Sequence, residues 1–274
     1  MQRELNELRK RIRDGWGIPD GEFDRWLPEH VRPQSTTHWT PVGVAMDVAR
    51  TLSGLGVTRV LDVGAGAGKF CVVGGLASEM TFVGVEQRGV LVEAARELAA
   101  RFELQDRVHF VPGDLSSLQA LPFDAVYFYN PFEEALLHAK LWIDRSVELG
   151  RAFHRRSVRR AEVLLERMPP YSYLVSFNGV GARIPGDYAL VEERLVGSNM
   201  LRLFQKKRVV APDGFWVELD DRTLYFRTRA ASSADGVSPA TGTKPAPAAS
   251  PLRLVPRPSN LAAERGLFEF EKED

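Results

Sequence analysis

The run Val60-Leu61-Asp62-Val63-Gly64-Ala65-Gly66-Ala67-Gly68-Lys69-Phe70 constrains the fold more than any other stretch of the chain. Its apolar start reads as a strand buried on both faces, the form that strands take in parallel sheets covered by helices. Gly64, Gly66 and Gly68 then allow a sharp turn and a close backbone approach to a ligand, and a helix opens after them. Strand, glycine turn and helix in succession put a pocket at the carboxyl end of the strand, close to Asp62.

Three kinds of nucleotide-binding turn compete for this run. A phosphate-binding P-loop needs Gly, four residues, then Gly-Lys-Ser/Thr, but Val63 stands five before Gly68 and Phe70 replaces the hydroxyl that would hold magnesium. A dinucleotide fold wants Gly-x-Gly-x-x-Gly, and the Gly-x-Gly-x-Gly found here shortens the turn under a pyrophosphate. The spacing Asp-x-Gly-x-Gly-x-Gly resembles instead the first motif of the class I S-adenosylmethionine-dependent methyltransferases. The resemblance implies that Asp62 and the loop backbone at Gly64, Ala65, Gly66 and Gly68 grip the methionine part of S-adenosyl-L-methionine.

The following strand ends extend the match. Thr81-Phe82-Val83-Gly84-Val85 runs into Glu86 and Gln87, and a carboxylate at that place can accept from both hydroxyls of an adenosine ribose. That position suits NAD as well as S-adenosyl-L-methionine. Val108-His109-Phe110-Val111-Pro112-Gly113 leads to Asp114 and Leu115, where the family places an acid near the adenine amino group. Asp124-Ala125-Val126-Tyr127-Phe128-Tyr129 leads to Asn130-Pro131-Phe132, which is similar to the Asn/Asp-Pro-Pro-aromatic motif of amino methyltransferases. There the side-chain oxygen and a backbone carbonyl accept from a planar amino group, and the aromatic ring stacks on the acceptor. In this chain one proline is missing and the aromatic comes one place early. The plain alternative is a turn that ends a strand.

The resemblance runs from about Thr36 to about Lys207 and identifies no subfamily. It implies a Rossmann-like α/β fold: a seven-stranded, mostly parallel sheet with an antiparallel last strand, flanked by helices. Tyr188 to Val196 and Met200 to Lys206 read as strands joined by a tight Gly197-Ser198-Asn199 turn, with the preceding helix short or absent. Phe215 to Leu219 and Leu224 to Arg229 add a C-terminal β pair. The expected divisions are a helical extension over 1–35, the methyltransferase domain over 36–229, a Pro/Ala-rich disordered linker over 230–260 and a short tail motif over 261–274. The tail is a candidate docking segment for a protein partner.

Ahead of the first strand, Thr40-Pro41 is a helix-start signal, because threonine caps free backbone donors and proline suits the first turn. The family has a similar Thr-Pro-led helix whose preceding loop covers the methionine end of the cofactor, so Thr40 joins the expected cofactor residues and His38 and Trp39 the site mouth. His38 is a candidate general base, but no acid or nucleophile pairs with it in the sequence, and a lone histidine beside a tryptophan is more often loop packing. Arg151, Arg155, Arg156, Arg159 and Arg160 recur at helical spacing with Glu148, Glu162 and Glu166 between them, which reads as a solvated helix face. The sole cysteine, Cys71, reads as a buried structural thiol.

Thirty-six basic residues balance thirty-six acidic ones, so no global charge points to nucleic acid or to an anionic membrane. The first residues lack an apolar core of signal-peptide length, and no segment approaches the ~20 apolar residues of a membrane span. The expectation is a cytoplasmic enzyme that uses S-adenosyl-L-methionine without a metal, methylating a nitrogen acceptor of unknown class (protein, RNA or small molecule). Two other readings remain: a methyltransferase-like scaffold without catalysis, and an NAD-dependent oxidoreductase, which lacks a recognisable hydride-transfer constellation after the fourth strand.

Overall fold

A computed structural model describes residues 2–118, 123–138 and 142–207, together with the backbone of 216–220 and 223–227. The chain divides into two units, Met1–Lys207 and Arg208–Asp274. In the first, strands β1 (Arg59–Val63), β2 (Thr81–Glu86), β3 (Val108–Pro112), β4 (Ala125–Tyr129), β5 (Tyr173–Phe177), β6 (Tyr188–Val196) and β7 (Asn199–Lys206) form one sheet in the order β3-β2-β1-β4-β5-β7-β6. The first five pair in parallel. β7 lies between β5 and β6 and is antiparallel to both, which is the inserted last strand expected from the sequence.

The helices are α1 (Gln2–Asp14), α2 (Asp20–Asp24), α3 (Ser35–His38), α4 (Val42–Gly54), α5 (Lys69–Ala77), α6 (Gly89–Arg101) and α7 (Arg151–Arg167). Strand alternation decides which face each meets. In β4, Ala125 and Tyr127 pack into one apolar cluster with α1, α4, α5 and α6, whereas Val126 and Phe128 join a second cluster with Ala161 and Leu165 of α7. The chirality of the crossovers explains the split. From β1 the chain winds outward to β2 and β3, and right-handed connections put α5 and α6 on one face; it then returns to β4 and moves the other way, so α7 covers the opposite face. The reversal leaves a crevice beyond the carboxyl ends of β1 and β4.

The N-terminal extension belongs to the first unit: Leu5, Leu8 and Ile12 of α1, at helical spacing, are buried in the first cluster. The segment between β5 and β6 contains no helix, and Gly197, with φ +61°, turns the chain from β6 into β7. In the second unit, β8 (Trp216–Asp220) and β9 (Thr223–Arg227) pair antiparallel from Trp216↔Arg227 to Asp220↔Thr223, giving the additional C-terminal β pair. The expected linker over 230–260 and tail over 261–274 lie outside the described residues. Among the described residues no helix is long and apolar enough to cross a membrane.

Candidate functional site

The glycine turn follows β1 and is pinned to β2. The N–H groups of Gly64 and Ala65 both donate to the Val85 carbonyl at 3.0 Å, and the Gly66 N–H donates to Glu86 Oε2 at 3.1 Å. Gly64 has φ +77°, and a Cβ on it would stand 2.9 Å from Cβ of Pro131. Gly66 has φ +55°, and a Cβ there would stand 2.5 Å from Nε1 of Trp39. Both positions therefore require glycine twice over, for a left-handed backbone and for the neighbour that leans on it.

A cavity of about 300 Å3 opens at this end of the sheet. Nine of the expected site residues line it: Gly64, Gly66, Glu86, Gln87, Asp114, Leu115, Asn130, Pro131 and Phe132, and so do His38 and Trp39. Thr40, Asp62, Ala65 and Gly68 lie behind the wall. Thr40 Oγ1 is 2.8 Å from the Tyr127 hydroxyl, whose ring stacks on Phe70 at 3.8 Å, so Thr40 ties the start of α4 to the sheet. Asp62 is buried beneath the turn and accepts from the Cys71 thiol at 3.3 Å. Burial, with a smaller contribution from the charge of Glu86, pushes its pKa up to about 7, and burial likewise raises the Cys71 thiol.

Glu86 is buried yet borders the cavity. Burial raises its pKa, opposed by the Arg88 and Gly66 N–H groups and by the Arg88 charge. Its Oε1 accepts from the Arg88 N–H at 2.9 Å and Oε2 from Gly66, and the Gln87 N–H also bonds the carboxylate, which leaves acceptor capacity for a further donor. Asp114 is more fully engaged. Its Oδ1 accepts from the backbone N–H and hydroxyl of Ser116, and Oδ2 from the Arg160 guanidinium. Although its burial works the other way, the Ser116 and Arg160 contacts hold the carboxyl below its usual range.

At the end of β4, Asn130 takes a left-handed backbone with φ +41° and donates its N–H to the Gly179 carbonyl at 3.1 Å. Its side-chain Nδ2 donates to Glu133, so Oδ1 is the amide atom left to accept. Phe132 is buried in the second cluster and backs the turn. His38 is half-buried and also lines the cavity. Desolvation lowers its pKa, with Glu134 opposing and Arg88 reinforcing the shift.

Several wall residues escaped the sequence reading. Arg88, at 4% side-chain exposure, donates from Nη2 to Glu134 at 2.9 Å and from Nε to Asp144 at 3.1 Å, and so fastens the segment after β4 to the end of β2. Phe153, Ser157 and Arg160 of α7 also border the cavity. Their i, i+4, i+7 spacing is the signal that could have turned this helix edge inward. Arg151, Arg155, Arg156 and Arg159 are exposed. Among the described residues no group of three or more His, Cys, Asp or Glu side chains could hold a metal ion.

No family model matches the sequence, and no curated protein matches it. Among solved structures, a candidate O-methyltransferase from Klebsiella pneumoniae aligns at a TM-score of 0.50 and 16% identity, over 74% of this chain and 95% of that one. The chain has the class I methyltransferase fold. An RNA methyltransferase from Salinibacter ruber in complex with S-adenosyl-L-homocysteine aligns at 0.43 and 20% identity, over 61% of this chain and 95% of that one. TrmN from Thermus thermophilus aligns at 0.45 and 19%, over 63% and 51%. Within this methyltransferase fold the cavity occupies the crevice where the strand order reverses.

Proposed function

We propose that the protein is an S-adenosyl-L-methionine-dependent methyltransferase acting on a nitrogen acceptor. The observation that carries the reading is the contact of Pro131 with Gly64, which brings the Asn130 turn and the glycine turn into one cavity. Its volume of about 300 Å3 lies at the lower end of the range for small-ligand sites. The donor set fits the cofactor: Glu86 retains acceptor capacity for a ribose diol, the backbone of Gly64 and Gly66 borders the cavity, and Asp114 with Leu115 lies at the end of β3.

When bound, the cofactor supplies an electrophilic methyl group on a sulfonium. The chain contributes alignment and exclusion of water. Asn130 Oδ1 would accept from the acceptor N–H while Glu133 holds the amide in that orientation, and the Pro131 carbonyl would take a second N–H. Trp39 and Phe132 wall the site, and both are largely removed from solvent. Burial lowers the pKa of His38 and so favours the neutral imidazole, the form that can receive a proton.

The same histidine favours a second reading, an oxygen acceptor deprotonated by His38. His38→Gln separates the two. A nitrogen acceptor oriented by Asn130 should lose little turnover, whereas removal of a general base should cost ~10²–10⁴-fold.

The primary test is calorimetric titration of the protein with S-adenosyl-L-methionine, S-adenosyl-L-homocysteine and NAD, beside an Asp62→Ala, Glu86→Ala variant. Binding of the first two, lost in the variant, supports the reading. A folded protein that binds none favours the scaffold, and binding of NAD alone overturns the assignment.

A further inference from the structure

Lys69 opens α5 immediately after the glycine turn, yet its side chain is 1% exposed and points away from the cavity residues. Nζ lies 2.5 Å from Asp20 Oδ1, 2.8 Å from Asp24 Oδ1 and 2.9 Å from Ser35 Oγ. The ammonium donates to Asp20 Oδ1 and Ser35 Oγ, and Asp24 Oδ1 stands beside it as an ion-pair partner without a hydrogen bond of its own. Stability alone does not favour the arrangement. A buried ammonium carries a large desolvation cost, and a positive charge at a helix N-terminus opposes the helix dipole.

The partners show what is gained. Ser35 is the first residue of α3, and Asp20 Oδ1 also accepts from the N–H of Val42, the first residue of α4, at 2.9 Å. Lys69 thus fastens both ends of 35–42 to the residue that follows Gly68. Between those ends stand Thr37, His38 and Trp39, the part of this segment that faces the cavity, with the Trp39 indole against Gly66.

We infer that Lys69 is a positioning residue for the site: held by Asp20, Asp24 and Ser35, it fixes the His38–Trp39 wall over the glycine turn and so sets cofactor affinity. The inference rests on reading the cavity as the cofactor site. Its second consequence, that the N-terminal segment is docked through Lys69, does not depend on that reading.

Two variants test it: Lys69→Met, and the neutral set Lys69→Met, Asp20→Asn, Asp24→Asn, in which the amide introduced by Asp20→Asn keeps an oxygen for the Val42 N–H. Replacing a whole buried ionic cluster by neutral groups is commonly neutral or stabilising, so the set should melt no lower than the natural protein. S-adenosyl-L-homocysteine affinity by calorimetry should nevertheless fall at least tenfold, and tryptic cleavage after Arg25 should accelerate at least tenfold without ligand. A residue that served folding alone would move the melting temperature and leave affinity unchanged in the set. Natural affinity in the folded set overturns the inference. If the natural protein binds no S-adenosyl-L-homocysteine, the proposed function fails instead, and the cleavage rates decide whether Lys69 docks the segment: unchanged rates overturn it.

Discussion

The guanidinium of Arg88 and the carboxylate of Glu134 form an ion pair at 2.9 Å across 46 residues, with 4% and 15% of the two side chains exposed. Arg88 stands two residues beyond Glu86, and Glu134 lies in the short helical turn four residues after Asn130. One pair therefore joins the expected ribose end of the site to its acceptor end. Glu134 Oε1 also accepts from the Ile143 N–H at 2.6 Å, so the described residues of the segment after β4, 133–138 and 142–150, are tied to the same carboxylate.

Arg88→Met should release that segment. Removing one partner leaves Glu134 with little solvent, while Asp144 at 37% exposure recovers water, so the expected loss is ~2–3 kcal/mol, less than for a fully buried pair. For a unit of this size that corresponds to a fall in melting temperature of about 5–10 °C. Hydrogen exchange should accelerate over 133–138 and 142–150 and stay slow in β1 and β4. Uniform acceleration would show that the pair supports the whole fold and not this segment.

Asp62 gives a pH prediction of definite sign. Burial raises its folded-state pKa to about 7, above the unfolded value near 3.8. The unfolded chain thus releases this proton first. The penalty is absent below the unfolded value, grows as pH rises toward 7 and is complete above it, on the order of a few kcal/mol. Asp62→Asn keeps an oxygen for the Cys71 thiol and removes the ionisation. The variant should match the natural protein near pH 4 and melt several degrees higher at pH 8. Melting curves with the same difference at both pH values would refute the assignment of the charge to Asp62.

Gly64→Ala probes the junction between the two turns. The new methyl meets Pro131 Cβ at 2.9 Å and forces alanine to a φ of +77°, a backbone cost of ~1–2 kcal/mol before any displacement. Cofactor affinity should drop at least tenfold. Gly43→Ala in α4 is the control, because nothing lies within 4 Å of its new methyl, and it should be neutral or stabilise by up to ~1 kcal/mol. Equal affinities in the two variants would remove the case for the Pro131–Gly64 contact.

What the sequence made legible was local. The glycine turn, Glu86 and the Asn130 turn each follow a strand within a few residues, so alternation and turn chemistry were enough to place them at one end of the sheet. The inserted β7 was legible because Gly197 forces a hairpin. Lys69 shows the limit. It follows a glycine turn as a phosphate-binding lysine would, but its partners stand 34–49 residues upstream and the sequence carries no sign of the pairing. Arg160 fails for another reason: the helix and its arginines were readable, but the rotation that turns Arg160 toward Asp114 while Arg155 faces solvent is set by packing of Ala161 and Leu165 on the sheet. Thr40 and Asp62 joined the expected cofactor residues through the resemblance, and no periodicity shows that their side chains point toward Tyr127 and Cys71.

The sharpest separation of chemistry from folding lies at Asn130. With φ at +41°, its backbone is in the left-handed region, which asparagine tolerates better than most residues and glycine tolerates without cost. Asn130→Gly therefore keeps the N–H to Gly179 and the turn itself, and should change stability by no more than ~1 kcal/mol in either direction. It deletes the amide oxygen proposed to orient the acceptor and frees Glu133. If Asn130 serves catalysis, S-adenosyl-L-homocysteine affinity should stay within about threefold while methyl transfer, once an acceptor is found, falls by ~10²-fold or more through kcat, as expected when alignment of the reacting atoms is lost. Full turnover in this variant would make Asn130 a turn residue with no part in the reaction.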